Sequence, residues 1–83
     1  MNNHLKYFYS LVCNGSFTDT AEKMYISQSA LSQHIKALEK ELDVKMIERS
    51  GRKLELTRAG EFFYYHSKIV FEDYERICAE TKK

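Results

Sequence analysis

The chain has 83 residues, of which 43% are hydrophobic and 30% charged, and its formal net charge is +1. This length allows one domain, and this composition is ordinary for a globular protein. No apolar run approaches the roughly 18 residues of a membrane span, and no secretory signal is visible. Cys13 and Cys78 lie far apart in the sequence, which argues against a zinc site and against a disulfide scaffold. We therefore expect the protein to reside in the reducing cytoplasm. The three histidines are scattered along the sequence and predict no ligand cluster: His4, His34 and His66.

A first helix is predicted over the N-terminal residues. Asn2 or Asn3 can cap it, and Asn14 followed by Gly15 ends it, because glycine adopts the left-handed conformation at little cost. Its predicted buried face follows helical spacing and consists of Leu5, Phe8, Tyr9 and Val12.

A short second helix is predicted to open at residues 16–18. Thr18 is a good N-cap, and Ala21 and Met24 would then face inward. Ser16 and Thr18 either contact phosphate from the helix N-terminus or serve only as caps, and the sequence leaves both interpretations open.

A long helix is predicted over residues 27–42, SQSALSQHIKALEKEL, after a tight connection at Tyr25 and Ile26. Ser27 is its predicted N-cap. Helical spacing predicts a narrow apolar stripe that consists of Leu31, Ile35, Leu38 and Leu42. On roughly the opposite side of this helix, the same spacing predicts an outward-facing polar stripe that consists of Ser29, Ser32, Gln33 and Lys36.

The outward stripe is unusual because it begins with hydroxyl and amide groups, whereas a solvated helix face carries mostly Glu and Lys. Short polar groups can reach base edges in a major groove, and lysines further along can reach phosphates. The alternative for this helix alone is an amphipathic helix that happens to be rich in Ser and Gln.

The segment after the long helix changes period and predicts a two-stranded hairpin. Residues 45–49 and 53–56 form two short extended runs, with turn chemistry at residues 50–52. Residues 45–58 contain five basic and two acidic side chains, a local charge of +3. Helix, turn, helix and a basic hairpin, with Arg52 and Lys53 at its tip, predict a winged helix-turn-helix.

The last predicted helix covers residues 57–80, with Thr57 as its N-cap. It holds six of the eleven aromatic residues of the chain, namely Phe62, Phe63, Tyr64, Tyr65, Phe71 and Tyr74. A domain this small can cover one stripe of such a helix, so the remainder predicts an interface, most simply a coiled-coil-like pair. The alternative is a helix packed wholly on its own domain.

Residues 16–60 together resemble the winged helix-turn-helix of LysR-type transcriptional regulators. The landmarks at family spacing are Ser16-Phe17-Thr18, Ala21, Ser27-Gln28, Ala30-Leu31-Ser32, Ile35, Leu38-Glu39, Leu42, Glu48-Arg49, Leu56-Thr57 and Ala59-Gly60. The chain departs from the family pattern with Ser29 for Pro, Gln33 for Arg, Asp43 for Gly, and Met46-Ile47 for Leu-Phe.

The resemblance implies a mainly α fold, in which residues 1–57 form a three-helix core with a two-stranded β wing and residues 58–83 form a linker and dimerisation helix. It implies sequence-specific binding of double-stranded DNA by a homodimer. The implied base-reading residues are Gln28, Ser29, Ser32 and Gln33. The expected contacts to the backbone or minor groove are Ser16, Thr18, Ser27, Lys36, Arg49, Arg52 and Lys53. The expected dimerisation residues are Phe62, Phe63, Ile69, Val70, Tyr74 and Ile77.

Family members normally carry a ligand-sensing domain after the linker helix, and this chain stops at Lys82 and Lys83. We therefore expect a DNA-binding fragment of a bacterial regulator, whose small-molecule effector would act only through that absent domain. We expect no metal and no cofactor.

Two other function classes compete with DNA binding. A helical dimeric protein-interaction module would explain the aromatic helix, but it would not require a Ser/Gln stripe beside a basic wing. An enzyme is the weakest alternative, because the sequence shows no paired carboxylates, no nucleophile with a base and no phosphate-binding glycine loop.

Replacing Arg52 at the predicted hairpin tip tests the wing. We expect Arg52→Ala to weaken binding to many DNA sequences alike and to reduce the salt slope of log K by about 1 per monomer, because one phosphate contact is lost. Fluorescence anisotropy at several salt concentrations measures both quantities. An unchanged affinity and slope would show that the tip does not touch DNA.

Overall fold

The computed structural model describes residues 3–50 and 53–83, with the backbone alone for Asn3, Arg49 and Ser50. The elements are α1 (Asn3–Asn14), α2 (Phe17–Met24), α3 (Gln28–Leu42), β1 (Ile47–Ser50), β2 (Lys53–Leu56) and α4 (Arg58–Thr81). The predicted order of three helices, a hairpin and a long last helix is confirmed. The predicted cap Asn2 and the residues of the predicted hairpin tip, Gly51 and Arg52, lie outside the described residues.

The core lies where α1, α2 and α3 meet the start of the hairpin. Its buried hydrophobic residues are Phe8, Leu11, Ala21, Leu31, Ile35, Leu38, Met46 and Ile47. Of the face predicted for α1, only Phe8 is fully buried, whereas Leu5, Tyr9 and Val12 are half-buried, and the buried Leu11 was not predicted. Tyr9 instead turns toward α4, where its ring lies 5.5 Å from Tyr64 and 4.6 Å from Phe71 between centroids.

The N-cap of α3 is predicted correctly, and that of α2 is not. The Ser27 hydroxyl accepts a hydrogen bond from the Ala30 amide at 3.0 Å. In α2 the cap is Ser16, whose backbone is extended and whose hydroxyl accepts a hydrogen bond from the Asp19 amide at 3.0 Å, so Thr18 lies inside the first turn. A helix that begins at Phe17 turns this aromatic side chain toward the core, which explains the earlier start.

Left-handed residues end the two helices of the helix-turn-helix. Tyr25 has φ 59° after α2, and Asp43 has φ 54° after α3. The prediction that Leu42 extends the apolar stripe is wrong, because its side chain is 42% exposed. The last turn of α3 runs past the core and turns away at Asp43, so the buried stripe ends at Leu38.

The hairpin is tied to both neighbouring long helices through Met46. One carboxylate oxygen of Glu39 accepts from the amides of Met46 at 2.6 Å and Ile47 at 3.3 Å. The Thr57 amide donates to the Met46 carbonyl at 3.0 Å, and the Thr57 hydroxyl donates to the Lys45 carbonyl at 2.6 Å. These bonds hold residues 45 and 46 outside the ladder, so β1 begins at Ile47 rather than at residue 45.

The long helix α4 packs on the domain only along its first half. Its N-cap is Thr57, as predicted, with the hydroxyl 3.0 Å from the Gly60 amide. Tyr64 contacts Cys13 of α1 through its hydroxyl at 3.8 Å, a contact that raises the pKa of this tyrosine. Beyond Phe71, every side chain of α4 except Cys78 is exposed. No helix formed by the described residues combines the length and apolar character needed to cross a membrane.

Two histidines that are far apart in sequence meet across the contact between α1 and α3. The Nδ1 atoms of His4 and His34 are 2.8 Å apart, and the Tyr7 ring lies 4.3 Å from the His34 ring. These two histidines are scattered in the sequence, and it is the fold that brings them into contact. Among the described residues, no group of three or more potential metal ligands occurs.

Gly60 provides a stability test, because a Cβ atom there would overlap the Met46 carbonyl oxygen. Alanine favours a helix over glycine by about 1 kcal/mol, so any net loss measures the overlap. We expect Gly60→Ala to lower the free energy of unfolding by about 1–3 kcal/mol, as measured in urea.

The matched control is Gly15→Ala, where φ is +78° and a Cβ would meet nothing within 4 Å. Its expected cost is about 1 kcal/mol, from the left-handed backbone alone. A Gly60→Ala protein as stable as the parent would show that the junction with Met46 relaxes freely.

Candidate nucleic-acid interface

The side of α3 opposite the core presents an exposed polar face. Gln28, Ser29, Gln33 and Lys36 are all exposed, whereas Ser32 is half-buried at the edge of this face. The structure therefore brings the four predicted base-reading residues and Lys36 to one side of α3. Because the opposite stripe is locked in the core and Ser27 fixes the first turn, this face is held rigidly on the domain.

The turn at Tyr25 and Ile26 joins the end of α2 to the start of α3, and the predicted backbone contacts of these two helices lie near their N-termini. The Ser27 side chain is exposed, and its hydroxyl, which accepts from a backbone amide, keeps its own proton for donation to a ligand. Ser16 is half-buried and Thr18 is exposed. Asp19 in the first turn of α2 adds a negative charge, which opposes the binding of phosphate there.

The hairpin presents its polar residues on one side. In β2, Lys53 and Glu55 are exposed and the two leucines between and after them are half-buried, as expected for a strand with one face on the core. The backbone of Arg49 pairs with that of Leu54, while the Arg49 side chain and all of Arg52 lie outside the described part.

Lys45 belongs to the basic segment of residues 45–58, but no contact was predicted for it. Its exposed side chain lines the same groove as Ser32 and Lys36, between α3 and the start of the hairpin. The local charge of +3 was the available signal, but the position of Lys45 beside α3 depends on the Glu39 hydrogen bonds that fold the segment back.

The helix α4 carries an exposed apolar surface. The large residues on it are Phe62, Tyr65, Ile69, Val70, Tyr74 and Ile77, whose side chains are between 45% and 69% exposed. Phe63 differs from the other expected dimerisation residues, because it packs edge-on against Phe8 with 5.6 Å between centroids. We therefore assign Phe63 to the core of its own chain, and the other five remain candidates for an interface.

The fold is a winged helix-turn-helix, with three helices, a two-stranded antiparallel wing and a long C-terminal helix. A family model described as "Bacterial regulatory helix-turn-helix protein, lysR family" matches residues 2–61. The chain belongs to this family.

Similar sequences come from several organisms. The HTH-type transcriptional regulator BenM of Acinetobacter baylyi is 36% identical over 80 residues, which are 96% of this chain and 26% of BenM. A probable RuBisCO transcriptional regulator of Cyanidioschyzon merolae is 41% identical over 80 residues, which are 95% of this chain and 25% of that protein. The chain thus spans about a quarter of the length of these relatives.

Solved structures agree with this assignment. The crystal structure of BenM_DBD in complex with catB site 1 DNA superposes with a TM-score of 0.91 at 36% identity, covering 99% of this chain and 92% of that one. Full-length BenM gives a TM-score of 0.89 at 36% identity and covers 100% of this chain and 28% of its own.

Proposed function

We propose that this chain binds double-stranded DNA in a sequence-specific manner, as the DNA-binding part of a LysR-type transcriptional regulator in the bacterial cytoplasm. In this proposal α3 enters the major groove and the wing meets the backbone or minor groove. Gln28, Ser29, Ser32 and Gln33 read bases, while Ser27, Lys36 and Lys53 contact the backbone.

The observation that supports the proposal best is the exposed face of α3. Its hydroxyl and amide groups are neutral and short, and they stand on a helix whose other side is fixed in the core. Such groups match the hydrogen-bond donors and acceptors on base edges. The similarity to BenM_DBD, which was crystallised with DNA, supports binding to double-stranded DNA.

Selection of bound sequences from random duplex DNA tests the proposal directly. We expect enrichment of a defined motif, together with retention of the protein on heparin and its release by salt. A protein that binds no duplex at low salt would refute the proposal and favour the alternative of a protein-interaction module.

Gln33 provides a test of base reading. Its amide offers one donor and one acceptor, which match the N6 and N7 positions of adenine, whereas an arginine offers only donors and matches O6 and N7 of guanine. We expect Gln33→Arg to move one position of the selected motif from adenine toward guanine, with about 1–3 kcal/mol of discrimination. Base preference is measured at every position at one salt concentration.

The matched control is Gln33→Ala, which removes the amide without offering a guanine partner. It should lose the adenine preference at the same position and gain none for guanine. If the parent and Gln33→Arg give the same preference profile, Gln33 is not a base reader.

We also propose that the chain forms a homodimer through the exposed surface of α4. Light scattering should give twice the monomer mass at micromolar concentration. Replacing Ile69 and Ile77 with Gln together should raise the dimer dissociation constant by about 100-fold or more, because each buried isoleucine contributes about 1.5–3 kcal/mol.

The control changes two exposed polar residues of the same helix, Lys68→Gln and Glu75→Gln, which lie away from Ile69 and Ile77 at helical spacing. This variant should remain dimeric. A parent chain that stays monomeric at high concentration would show that α4 does not pair with a second copy.

A further inference from the structure

A groove with a volume of about 430 Å³ lies between α3 and the start of the hairpin. Its apolar lining consists of Phe17, Ile35 and Ile47, of which the two isoleucines are buried. Its polar lining includes Ser32, Lys36 and Lys45, and both lysines are exposed. The groove therefore has an apolar floor and a positively charged rim.

Among the described residues that line the groove, one carries a carboxylate, and this carboxylate is hydrogen-bonded within the protein. Glu39 lines the groove, but its Oε2 atom accepts from the amides of Met46 and Ile47. Among the described side chains, Lys36 and Lys45 have no ion-pair partner. The two ammonium groups are therefore available to an external anion.

The groove is continuous with the exposed face of α3. Lys36 belongs to both surfaces, and Ser32 lies one turn before it at the edge between them. An α-helix is about 10–12 Å in diameter with its side chains, and a major groove is about 12 Å wide. A helix inserted with its polar face toward the bases therefore has a DNA strand along each flank.

We infer that this groove binds the sugar–phosphate backbone of one strand of the duplex that α3 enters, and that Lys45 is a phosphate-binding residue. The apolar floor suits the deoxyribose, and the two lysines on the rim suit consecutive phosphates. A small anion would leave the floor uncovered, whereas a DNA strand covers the floor and the rim together. This inference rests on the proposed function, since it requires α3 to lie in a major groove.

The test compares Lys45→Gln with the parent protein in binding to the selected duplex. Fluorescence anisotropy measures the salt dependence of this binding between about 50 and 200 mM salt, a range over which phosphate contacts strongly affect the affinity. Loss of one phosphate contact should lower the slope of log K by about 0.9 per chain and the affinity by about eightfold per chain at 0.1 M salt. Lys45→Arg should retain both, because the charge is kept. The base preference profile of Lys45→Gln should match that of the parent, because phosphate contacts carry no sequence information directly.

The matched control is Lys82→Gln, which removes the same charge at the far end of α4, about 36 Å along the helix from Arg58. It should change neither slope nor affinity. The inference is overturned if Lys45→Gln behaves like Lys82→Gln while the parent binds its duplex. A parent that binds no duplex refutes the proposed function itself, which distinguishes the two failures.

Discussion

The arrangement of the domain depends on how the backbone of Met46 is held between two helices. Its amide donates to Glu39 of α3 and its carbonyl accepts from Thr57, the cap of α4. The residue is 1% exposed, so leaving either group without a partner would cost about 1–3 kcal/mol. A two-stranded hairpin is marginal by itself, and this buried junction is what fixes the wing relative to α3.

The same junction explains why glycine occupies position 60. Thr57 comes close enough to donate to both Lys45 and Met46, and the first turn of α4 therefore passes directly over the Met46 carbonyl. A helix start that approaches a strand this closely leaves no room for a Cβ atom. The hydrogen bonds that position the wing thus also determine the direction in which α4 leaves the domain.

Local patterns in the sequence predicted most of the elements, because caps and helical spacing are local properties. Ser27 and Thr57 each precede an apolar periodic segment, and both are caps in the structure. Thr18 was wrongly predicted as the N-cap of α2. Both Ser16 and Thr18 are good caps, and the choice between them depends on the contact of Phe17 with the core, which is a tertiary contact. Leu11 was missed because its burial comes from α1 lying between α3 and α4, which helical spacing in α1 alone does not reveal.

The candidate site likewise has one part that the local sequence predicts and another part that depends on tertiary contacts. The outward stripe of α3 follows from helical geometry, so the exposure of Ser29, Gln33 and Lys36 could be predicted from the sequence. The groove beside it could not, because it forms only when the Glu39 carboxylate brings Lys45 back alongside α3. The pairing of His4 with His34 is likewise a tertiary contact between residues thirty positions apart.

The firm attachment of α4 has a consequence for the geometry of any operator. In the proposed homodimer, α4 and α3 of each chain are joined through Met46 and Thr57, so the angle at which the two copies of α4 cross would set the distance between the two copies of α3. Dimeric helix-turn-helix proteins place these helices about 34–36 Å apart, one turn of DNA or a multiple of it. The helix α4 has 24 residues and is about 36 Å long. A small change in the angle between two such helices would therefore move the attached winged helix-turn-helix by several ångströms. Half-site spacing would therefore be determined by side chains on α4 that never approach a base.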